Sequence, residues 1–573
     1  MKAIAGRQLA SGEMTSVLSA VSANPVEHGE VFTRRWIVDL ILDLAGFTAD
    51  RDLATLVAVE PACGGGAFLA AMAGRVSASC RKHDRSILDA KSALRAFDLL
   101  GPSVAASRTL VRNVLTDDGW SLPEASELAQ AWVQQGDFLL DPQPPVNVDF
   151  VVGNPPYVRL EDVPADRMLA YRAACPTMTG RSDLYVGFYE RGLKSLRPGG
   201  VLAFICADRW MRNQYGRHLR ELVSSSYSVD LTISMHDVDA FEEQVSAYPA
   251  ITVLRRAAQG ASTVVDTRRS FGPQDAPELV ESIRANAPTA VSSGSFTAAR
   301  LTHWFTGEGP WPTGSPSRLA LIESLNDRFP LLEDRSTGTR VGIGVATGAD
   351  KVFVTKYADV EPRRLLPLSM VRDTASGKFE WSGHYLVNPW DEDGVLVDLS
   401  WLPRLRAYYE RHAVALKRRH VAGRRPGQWY RTIDRVDPAL VDRPKLLFPD
   451  MKSAIHPVLD AGGYYPHHNL YYIVSDVWDL RVLGGLLLSG VAQAFVEAYA
   501  VRMRGGTLRF QAQYLRRIRV PRPGSISLDD RAALATAFDA RDSQAATEAA
   551  LRVYGIEAMG DLFGGPAAGR GGS

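Results

Sequence analysis

The sequence has few cysteines and almost no excess of charge of either sign. Its four cysteines, Cys63, Cys80, Cys175 and Cys206, form no CxxC pair, which argues against a disulfide scaffold and against a structural zinc site. The formal net charge is only +1, so any surface for a polyanion must be local. Function is therefore to be sought in individual segments.

Long apolar runs are also missing. No stretch approaches the roughly 18 apolar residues of a membrane span, and Met1 is followed by a mixed polar stretch without the apolar core of a signal peptide. We expect a cytoplasmic protein without membrane contact. A chain of 573 residues with 46% hydrophobic and 23% charged residues is typical of a globular protein with two domains.

Short β-rich runs alternate with helical patterns between about residues 30 and 256. The expected strands are Leu56–Glu60, Leu94–Asp98, Asp149–Gly153, Val201–Cys206, Asp230–Ser234 and Ala250–Arg255, and the expected helices include Ala67–Arg75 and Leu184–Leu196. This alternation predicts an α/β, Rossmann-like fold with a mostly parallel sheet between helices. We expect a catalytic domain over residues 1–260, a mixed α+β domain over 261–563 and a disordered tail over 564–573.

The segment Val57–Phe68 reads as a strand, an acidic residue, three glycines and a helix. Glycines allow a sharp turn and a close approach of the backbone to a ligand. Glu60 stands just before the glycines, where it would repel a pyrophosphate and attract a cationic ligand such as a sulfonium amino acid. Asp98, at the end of the next strand, can accept ribose hydroxyls, and Asp137 can accept a hydrogen bond from an adenine amine.

The strongest local signal is the segment Asp149–Tyr157, in which an apolar strand ends in Asn-Pro-Pro-Tyr. Open α/β sheets bind ligands at this edge. The Asn154 side-chain oxygen and the Pro155 carbonyl can accept the protons of a planar amine and return electron density to its nitrogen. Pro155 and Pro156 stiffen the turn, and the Tyr157 ring offers a face for a base.

Together these segments resemble the gamma-class (TaqI-like) adenine-N6 DNA methyltransferases of restriction–modification systems. Glu30–Thr33 resembles the family's N-terminal motif, Glu60–Phe68 its cofactor loop and Asn154–Tyr157 its catalytic tetrapeptide. One departure is Arg34, where the family usually has proline. The resemblance implies a class I methyltransferase domain, S-adenosylmethionine as cofactor and a C-terminal target-recognition domain.

The resemblance also implies roles for individual residues. Cofactor contacts fall on Thr33, Glu60, Ala62, Gly64, Gly66, Phe68, Asp98, Asp137, Phe138 and Asn154. Catalysis falls on Asn154, Pro155, Pro156 and Tyr157, and Tyr157 and Phe241 would stack on an adenine flipped out of duplex DNA. The segments Val341–Phe353 and Trp429–Asp450 resemble parts of target-recognition domains.

Two basic stretches in the C-terminal half favour DNA as the substrate. Residues 404–425 hold eight Lys or Arg against one acidic residue, and residues 502–522 hold seven arginines and no carboxylate. Such runs suit a surface that tracks phosphates. The predicted DNA-binding residues are Arg418, Arg419, Arg424, Arg425, Trp429, Arg504, Arg509, Arg516 and Arg517.

Other interpretations stay open. Asn-Pro-Pro-Tyr turns also serve enzymes that methylate protein or RNA amines, and a DNA-specificity subunit without turnover is a third alternative. We assign His467, His468 and Asp434 to packing or surface and expect no metal. The sequence contains no nuclease motif, so a cognate restriction endonuclease or defence subunit would be a separate protein. We expect a monomer.

Overall fold

The computed structural model describes residues 31–243, 248–285, 291–302, 304–305, 307–500 and 508–556. The chain divides into two compact units, Met1–Ala320 and Leu321–Ser573. This division lies well beyond residue 260, where we expected the domain boundary. The expected tail, 564–573, lies outside the described residues.

One ten-stranded sheet forms the centre of the first unit, in the order β3-β2-β1-β4-β5-β7-β6-β8-β10-β9. Its strands are β1 Ala58–Glu60, β2 Leu94–Asp98, β3 Val133–Gln135, β4 Val148–Gly153, β5 Leu196–Ala207, β6 Ser228–Ser234, β7 Pro249–Arg255, β8 Ser262–Thr267, β9 Val291–Ser292 and β10 Phe296–Leu301. The strands from β3 to β5 are parallel, and β7 is antiparallel to both of its neighbours. Strand β1 pairs with β2 on one side and β4 on the other, so the strand order reverses there, where such sheets bind ligands.

Helices cover both faces of this sheet. The helices of the first unit are α1 Arg35–Ala45, α2 Ala67–Lys82, α3 Gly101–Asp117, α4 Leu122–Trp132, α5 Ala165–Ala174, α6 Tyr185–Ser195, α7 Arg209–Arg212, α8 Arg217–Ser226 and α9 Ala276–Arg284. Helix α10, Pro316–Arg328, begins in this unit and ends in the second. Two separate hydrophobic clusters lie against the sheet, one with α1 to α4 and one with α6 and α8. All six residues of β4 are buried, as expected of a strand packed on both faces.

The predicted α/β architecture is confirmed, and one part of the domain assignment is wrong. Strand β8 pairs in parallel with β6, and β10 pairs antiparallel with β8. Residues that we placed in the second domain therefore complete the sheet of the first unit. The segment around β10 is rich in Ala, Ser and Thr and resembles a linker, yet Phe296 and Ala298 are buried in the first unit's core.

The second unit is a mixture of small sheets and helices, as predicted. Its three sheets have the strand orders β11-β19-β15-β17, β12-β14-β13-β18 and β16-β20. The strands are β11 Arg340–Ile343, β12 Val354–Thr355, β13 Leu365–Ser369, β14 Tyr385–Val387, β15 Lys445–Pro449, β16 Met451–Lys452, β17 Val458–Asp460, β18 Tyr465–Pro466, β19 Leu470–Val474 and β20 Leu508–Arg509. The helices are α11 Asp350–Phe353, α12 Pro403–Arg411, α13 Ala413–Lys417, α14 His420–Arg424, α15 Leu480–Leu488, α16 Gly490–Tyr499, α17 Ala512–Leu515, α18 Leu528–Ala540 and α19 Ser543–Tyr554.

No single helix among the described residues is both long and apolar enough to cross a membrane. Helices α15 and α16 meet the length and composition of a span only as a pair, bent by 64° at the break between them. Most residues of both helices are buried in the core of the second unit.

A fully buried ion pair lies in this unit between β15 and β17. Lys445 Nζ donates to Asp460 Oδ2 at 3.2 Å and to the carbonyl oxygens of Tyr464 at 3.0 Å and Val441 at 3.2 Å. Neither side chain is exposed to solvent. Burial lowers the pKa of Lys445 and raises that of Asp460, so desolvation opposes the pair and each charge depends on the other.

We predict that Asp460→Ala lowers the free energy of unfolding by about 3–5 kcal/mol, because it leaves a buried ammonium without its counter-charge. The double variant Lys445→Met/Asp460→Leu should be destabilised much less, since it removes both charges. Urea denaturation of the three proteins measures the difference. Equal stability of Asp460→Ala and the wild type would contradict this account.

Candidate active site

A cavity of about 390 Å³ opens at the carboxyl ends of β1 and β4. Its volume lies within the range of small-molecule sites. The sequence-predicted residues that line it are Thr33, Glu60, Ala62, Gly64, Phe68, Asp98, Asp137, Phe138, Asn154, Pro155 and Pro156. The fold thus brings together side chains that are spread over more than a hundred positions of the chain.

The glycine loop between β1 and α2 needs its glycines for conformation. Gly64 and Gly66 have φ values of 50° and 92°, a region that other residues rarely adopt. A Cβ on Gly66 would also lie 3.0 Å from Ser107 Oγ, which itself donates to the Gly64 carbonyl at 2.9 Å. Gly66 does not line the cavity, so its role is to shape the loop.

Two acidic side chains continue the cavity wall. Asp98 accepts hydrogen bonds from the backbone N–H groups of Gly64 and Leu100, both at 2.9 Å. Asp137 accepts from the Tyr171 hydroxyl at 2.8 Å and from the Leu139 N–H at 3.1 Å. Asp137 follows β3, a three-residue strand that the sequence pattern did not reveal, and β3 aligns it with the other strand ends.

Aromatic side chains form the far wall. The Phe138 ring stacks on Phe188 with centroids 5.8 Å apart and an interplanar angle of 19°. Tyr171, on α5, and Phe188, on α6, also line the cavity, and our sequence analysis missed both. No local motif marks them, because they lie on helices whose approach to the site depends on the tertiary fold.

Glu60 is a buried acid with incomplete pairing. It is 2% exposed, and its Oε2 atom has no hydrogen-bond partner. Burial, with a further contribution from the charge of Asp98, raises the pKa of Glu60 well above its ordinary value. A cation in the cavity would supply the missing partner.

Asn154 is held in one orientation at the end of β4. Its Nδ2 atom donates to the Val31 carbonyl at 2.9 Å and to Thr33 Oγ1 at 3.1 Å. The Oδ1 atom is buried and has no hydrogen-bond partner. Because buried polar atoms are normally paired, this oxygen is an acceptor prepared for a donor that is not part of the protein.

The N-terminal motif pairs with the segment that contains Phe241. The Glu242 N–H donates to the Phe32 carbonyl at 2.9 Å, and the Arg34 N–H donates to the Ala240 carbonyl at 3.0 Å. Arg34, which stands where the family usually has proline, forms an ion pair with Asp239 at 2.6 Å. A proline could form neither this ion pair nor the N–H hydrogen bond, so the departure from the family pattern adds two links between the same segments.

The two predicted base-stacking residues lie side by side next to the cavity. The rings of Tyr157 and Phe241 meet edge to face, with centroids 6.3 Å apart and an interplanar angle of 82°. Phe241 is 5% exposed, and the buried Tyr157 hydroxyl has no hydrogen-bond partner. Neither residue lines the cavity, and the rings would have to separate before a base could enter between them.

The first basic stretch of the second unit contains both exposed and engaged arginines. Arg418, Arg424 and Arg425 are exposed, and none of them pairs with a carboxylate in the part of the chain that the structure describes. Arg419 instead donates to the carbonyl oxygens of Thr347, Trp429 and Arg431 at 2.8–2.9 Å, which gives it a structural role. The Lys417 ammonium lies over the Trp429 ring, 5.1 Å from the ring centroid.

Two arginines of the second basic stretch are paired with carboxylates that are distant in sequence. Arg509 pairs with Asp450 at 2.7 Å, and Arg516 pairs with Glu333 at 2.9 Å. The Arg517 guanidinium lies over the Tyr499 ring, 5.2 Å from its centroid. Arg504 lies outside the described residues. The charge count of this stretch therefore overstates the positive potential that it presents.

Comparisons with known proteins agree with this geometry. The family model described as Eco57I restriction-modification methylase matches residues 124–241. The chain is 44% identical to type II methyltransferase M.PaeR7I from Pseudomonas aeruginosa, over 92% of each chain. It is 42% identical to type II methyltransferase M.XhoI from Xanthomonas vasicola, over 94% of this chain and 99% of that one.

A solved structure shares the fold at low sequence identity. The type IIL restriction-modification enzyme MmeI, solved in complex with DNA, superposes with a TM-score of 0.54 over 96% of this chain and 76% of its own. The sequence identity is 11%, so this likeness concerns the fold alone.

The strand order, the glycine loop and the cavity at the β1–β4 reversal define the first unit as a class I methyltransferase domain. Sequence identity above 40% with two relatives, over nearly their whole length, identifies the family more specifically than the fold does. The chain belongs to the type II methyltransferases of restriction–modification systems, which confirms the family resemblance found in the sequence.

We predict that Glu60 contributes a loss of stability as pH rises above 4.5, its ordinary pKa, of at most about 1.4 kcal/mol per pH unit. The folded state keeps the Glu60 proton at pH values where the unfolded state has released it, so deprotonation opposes folding. Glu60→Gln cannot titrate and should lack this contribution. Urea denaturation between about pH 5 and 8 gives the difference between the two proteins.

Glu190→Gln is the matched control. Glu190 is equally buried, but it accepts hydrogen bonds from the Thr177 N–H at 2.9 Å and hydroxyl at 2.6 Å. We expect this substitution to destabilise the protein, because it removes a charged acceptor that bonds to Thr177 and pairs with Lys194. A difference between wild type and Glu60→Gln that stays constant with pH would disprove the raised pKa.

Proposed function

We propose that this protein transfers a methyl group from S-adenosylmethionine to the exocyclic N6 amine of an adenine within a specific duplex DNA sequence. The observation that carries the proposal is the unpartnered, buried Oδ1 atom of Asn154. An acceptor fixed at this position suits a substrate that brings an N–H donor. The membership of the chain in a family of type II methyltransferases fits such a modification enzyme.

The cavity fits S-adenosylmethionine in its chemistry. Glu60 offers a carboxylate to a cationic group, Asp98 can share hydrogen bonds with ribose hydroxyls, and Asp137 with Phe138 suits an adenine ring. The cofactor, when bound, supplies an electrophilic methyl group on a sulfonium. Glu60 must release its proton to pair with that cation, so its burial would couple binding to proton release.

Asn154 and Pro155 activate the substrate amine. The lone pair of an exocyclic adenine nitrogen is delocalised into the ring, which makes this nitrogen a poor nucleophile. Hydrogen bonds from the amine to Asn154 Oδ1 and to the Pro155 carbonyl return electron density to it. Both acceptors are preorganised, since Val31 and Thr33 hold the amide and the two prolines fix the turn.

Access to that nitrogen requires the base to leave the helical stack. Tyr157 and Phe241 lie beside the cavity and would stack on the flipped adenine after their rings separate. Such stacking is worth about 1–3 kcal/mol per base in single-strand binding proteins. A base that stacks there would present its amine to the Asn-Pro-Pro-Tyr turn.

DNA contacts in the second unit would come mainly from the first basic stretch. Arg418, Arg424 and Arg425 are exposed guanidiniums, which suit phosphate contacts that position the duplex. We assign Arg419, Arg509 and Arg516 primarily to structural roles, because each is engaged by protein oxygens. The cognate restriction endonuclease would be a separate protein.

We predict that Asn154→Ala lowers the turnover number by at least about 100-fold, the usual effect of removing one preorganised electrostatic contact. Single-molecule sequencing of DNA from cells expressing wild type or variant detects the reaction and its target together. Wild type should give N6-methyladenine in one recurrent sequence, and the variant should give none.

Binding of S-adenosylmethionine to the purified variant shows whether its site is intact. Asn213→Ala, at a half-buried turn after α7, is the matched control and should retain activity. If wild type leaves genomic DNA unmodified, assays of labelled methyl transfer into RNA and protein test the alternative substrates. Absence of transfer to all three would favour a specificity subunit without turnover.

We predict that replacing Arg418, Arg424 and Arg425 together with alanine weakens DNA binding. For each phosphate that is no longer neutralised, the slope of log affinity against log salt should become shallower by about 0.9. Affinity for S-adenosylmethionine should not change. Fluorescence anisotropy with a duplex at several salt concentrations measures both the affinity and the slope.

Arg406→Ala is the control for this experiment. Arg406 is exposed in the same basic stretch, but it pairs with Glu410 at 2.8 Å, so its removal should affect DNA binding much less. Unchanged affinity in the triple variant, or an equal effect of Arg406→Ala, would place the DNA surface elsewhere.

A further inference from the structure

Three side chains with metal-ligating atoms converge in the second unit, a feature that methyl transfer does not use. They are Asp350, His467 and His468, and one ligand atom from each lies within 4.8 Å of the others. His467 Nε2 is 3.1 Å from Asp350 Oδ2, and the two imidazole centroids are 4.1 Å apart. Our sequence analysis assigned the histidines to packing or surface and did not connect them with Asp350, which is more than a hundred positions away.

The backbone fixes these three residues relative to one another. Val345 and His467 form a parallel bridge, and the His468 N–H donates to the Val345 carbonyl at 3.1 Å. A Cβ on Gly344 would lie 2.2 Å from the Pro466 carbonyl oxygen, so this close approach requires glycine. Asp350 begins α11 directly after this loop and accepts a hydrogen bond from the Thr347 hydroxyl.

His467 is buried and His468 is half-buried, and neither imidazole is fully hydrogen-bonded. His467 is 2% exposed, and the buried Nδ1 atoms of His467 and His468 have no hydrogen-bond partner. The Asp350 side chain is 46% exposed, so the cluster is open to solvent on one side.

We infer that Asp350, His467 and His468 form a binding site for a divalent transition metal ion, of which Zn²⁺ is the expected occupant. Zinc bonds to imidazole nitrogen and carboxylate oxygen are about 2.0–2.2 Å long, and tetrahedral geometry then puts neighbouring ligand atoms about 3.3–3.5 Å apart. The His467–Asp350 separation of 3.1 Å is slightly shorter than this spacing, and all three ligand atoms lie within 4.8 Å of one another, so small side-chain shifts would bring them to bonding distance of one ion. Two imidazoles and one carboxylate select zinc, cobalt or nickel over magnesium or calcium.

Such an ion would crosslink two segments of the second unit. It would join the loop 344–350 to the connection between β18 and β19, where His467 and His468 lie. The same loop accepts the Arg419 guanidinium at the Thr347 carbonyl, 2.8 Å away, and Arg419 immediately follows the exposed Arg418. The ion would thereby stabilise the base of the proposed DNA-contacting stretch.

The test uses the full-length protein, stripped with a chelator and titrated with Co²⁺ as a spectroscopic probe for Zn²⁺. We expect visible ligand-field absorption that saturates at one equivalent and is displaced by Zn²⁺, and no displacement by Mg²⁺. Zn²⁺ should also raise the melting temperature of the stripped protein. Asp350→Asn and His468→Gln, at less buried positions, should each weaken Co²⁺ binding at least tenfold.

His384→Gln is the matched control, because His384 is a partly buried histidine of the same unit that bonds to Ser382 and lies outside the cluster. It should bind Co²⁺ like wild type. Circular dichroism verifies that each variant is folded. The proposal is overturned if stripped wild type takes up no Co²⁺, or if folded Asp350→Asn and His468→Gln bind it as tightly as wild type.

Discussion

The hydrogen bonds that Asn154 Nδ2 donates to Val31 and Thr33 determine what the remainder of the site can do. An amide that donates on one side can only accept on the other, so these two contacts leave Oδ1 as an unpartnered acceptor on a residue that lines the cavity. They also attach the N-terminal motif to the end of β4. That motif in turn pairs with the segment around Phe241, so the cavity wall, the Asn-Pro-Pro-Tyr turn and Phe241 share one hydrogen-bond network.

Much of the first unit was predictable because its strands are buried on both faces and read as short apolar runs. The predicted strand Leu94–Asp98 matches β2, and the other central strands differ by a few residues at their ends. The sequence pattern did not predict strands β3, β8 and β10, because they are short or partly exposed. Their formation depends on their pairing partners more than on their composition. The motifs placed Asn154, Glu60 and Asp98 at one cavity, whereas Tyr171 and Phe188 reach it only through helix packing.

The number of charged residues in a segment did not predict the charge that the folded segment presents to solvent. The stretch 502–522 contains no carboxylate, yet Asp450 and Glu333 come from distant elements to pair with two of its arginines. Arg419, in the first basic stretch, donates hydrogen bonds to three backbone carbonyl oxygens. Pairing between distant segments is invisible to a local count, and the same limitation hid the proximity of Asp350 to His467.

The extension of the sheet beyond β6 bears on how the molecule avoids self-association. Without β8, β9 and β10, strand β6 would present an unpaired row of N–H and C=O groups along seven residues, a template for pairing with another chain. In the intact unit the outermost strands are β3 and β9, with three and two residues. A fragment of the first unit that ends at residue 260 would therefore expose a long edge strand able to pair with another chain. A fragment that extends through β10 would end on the two-residue strand β9.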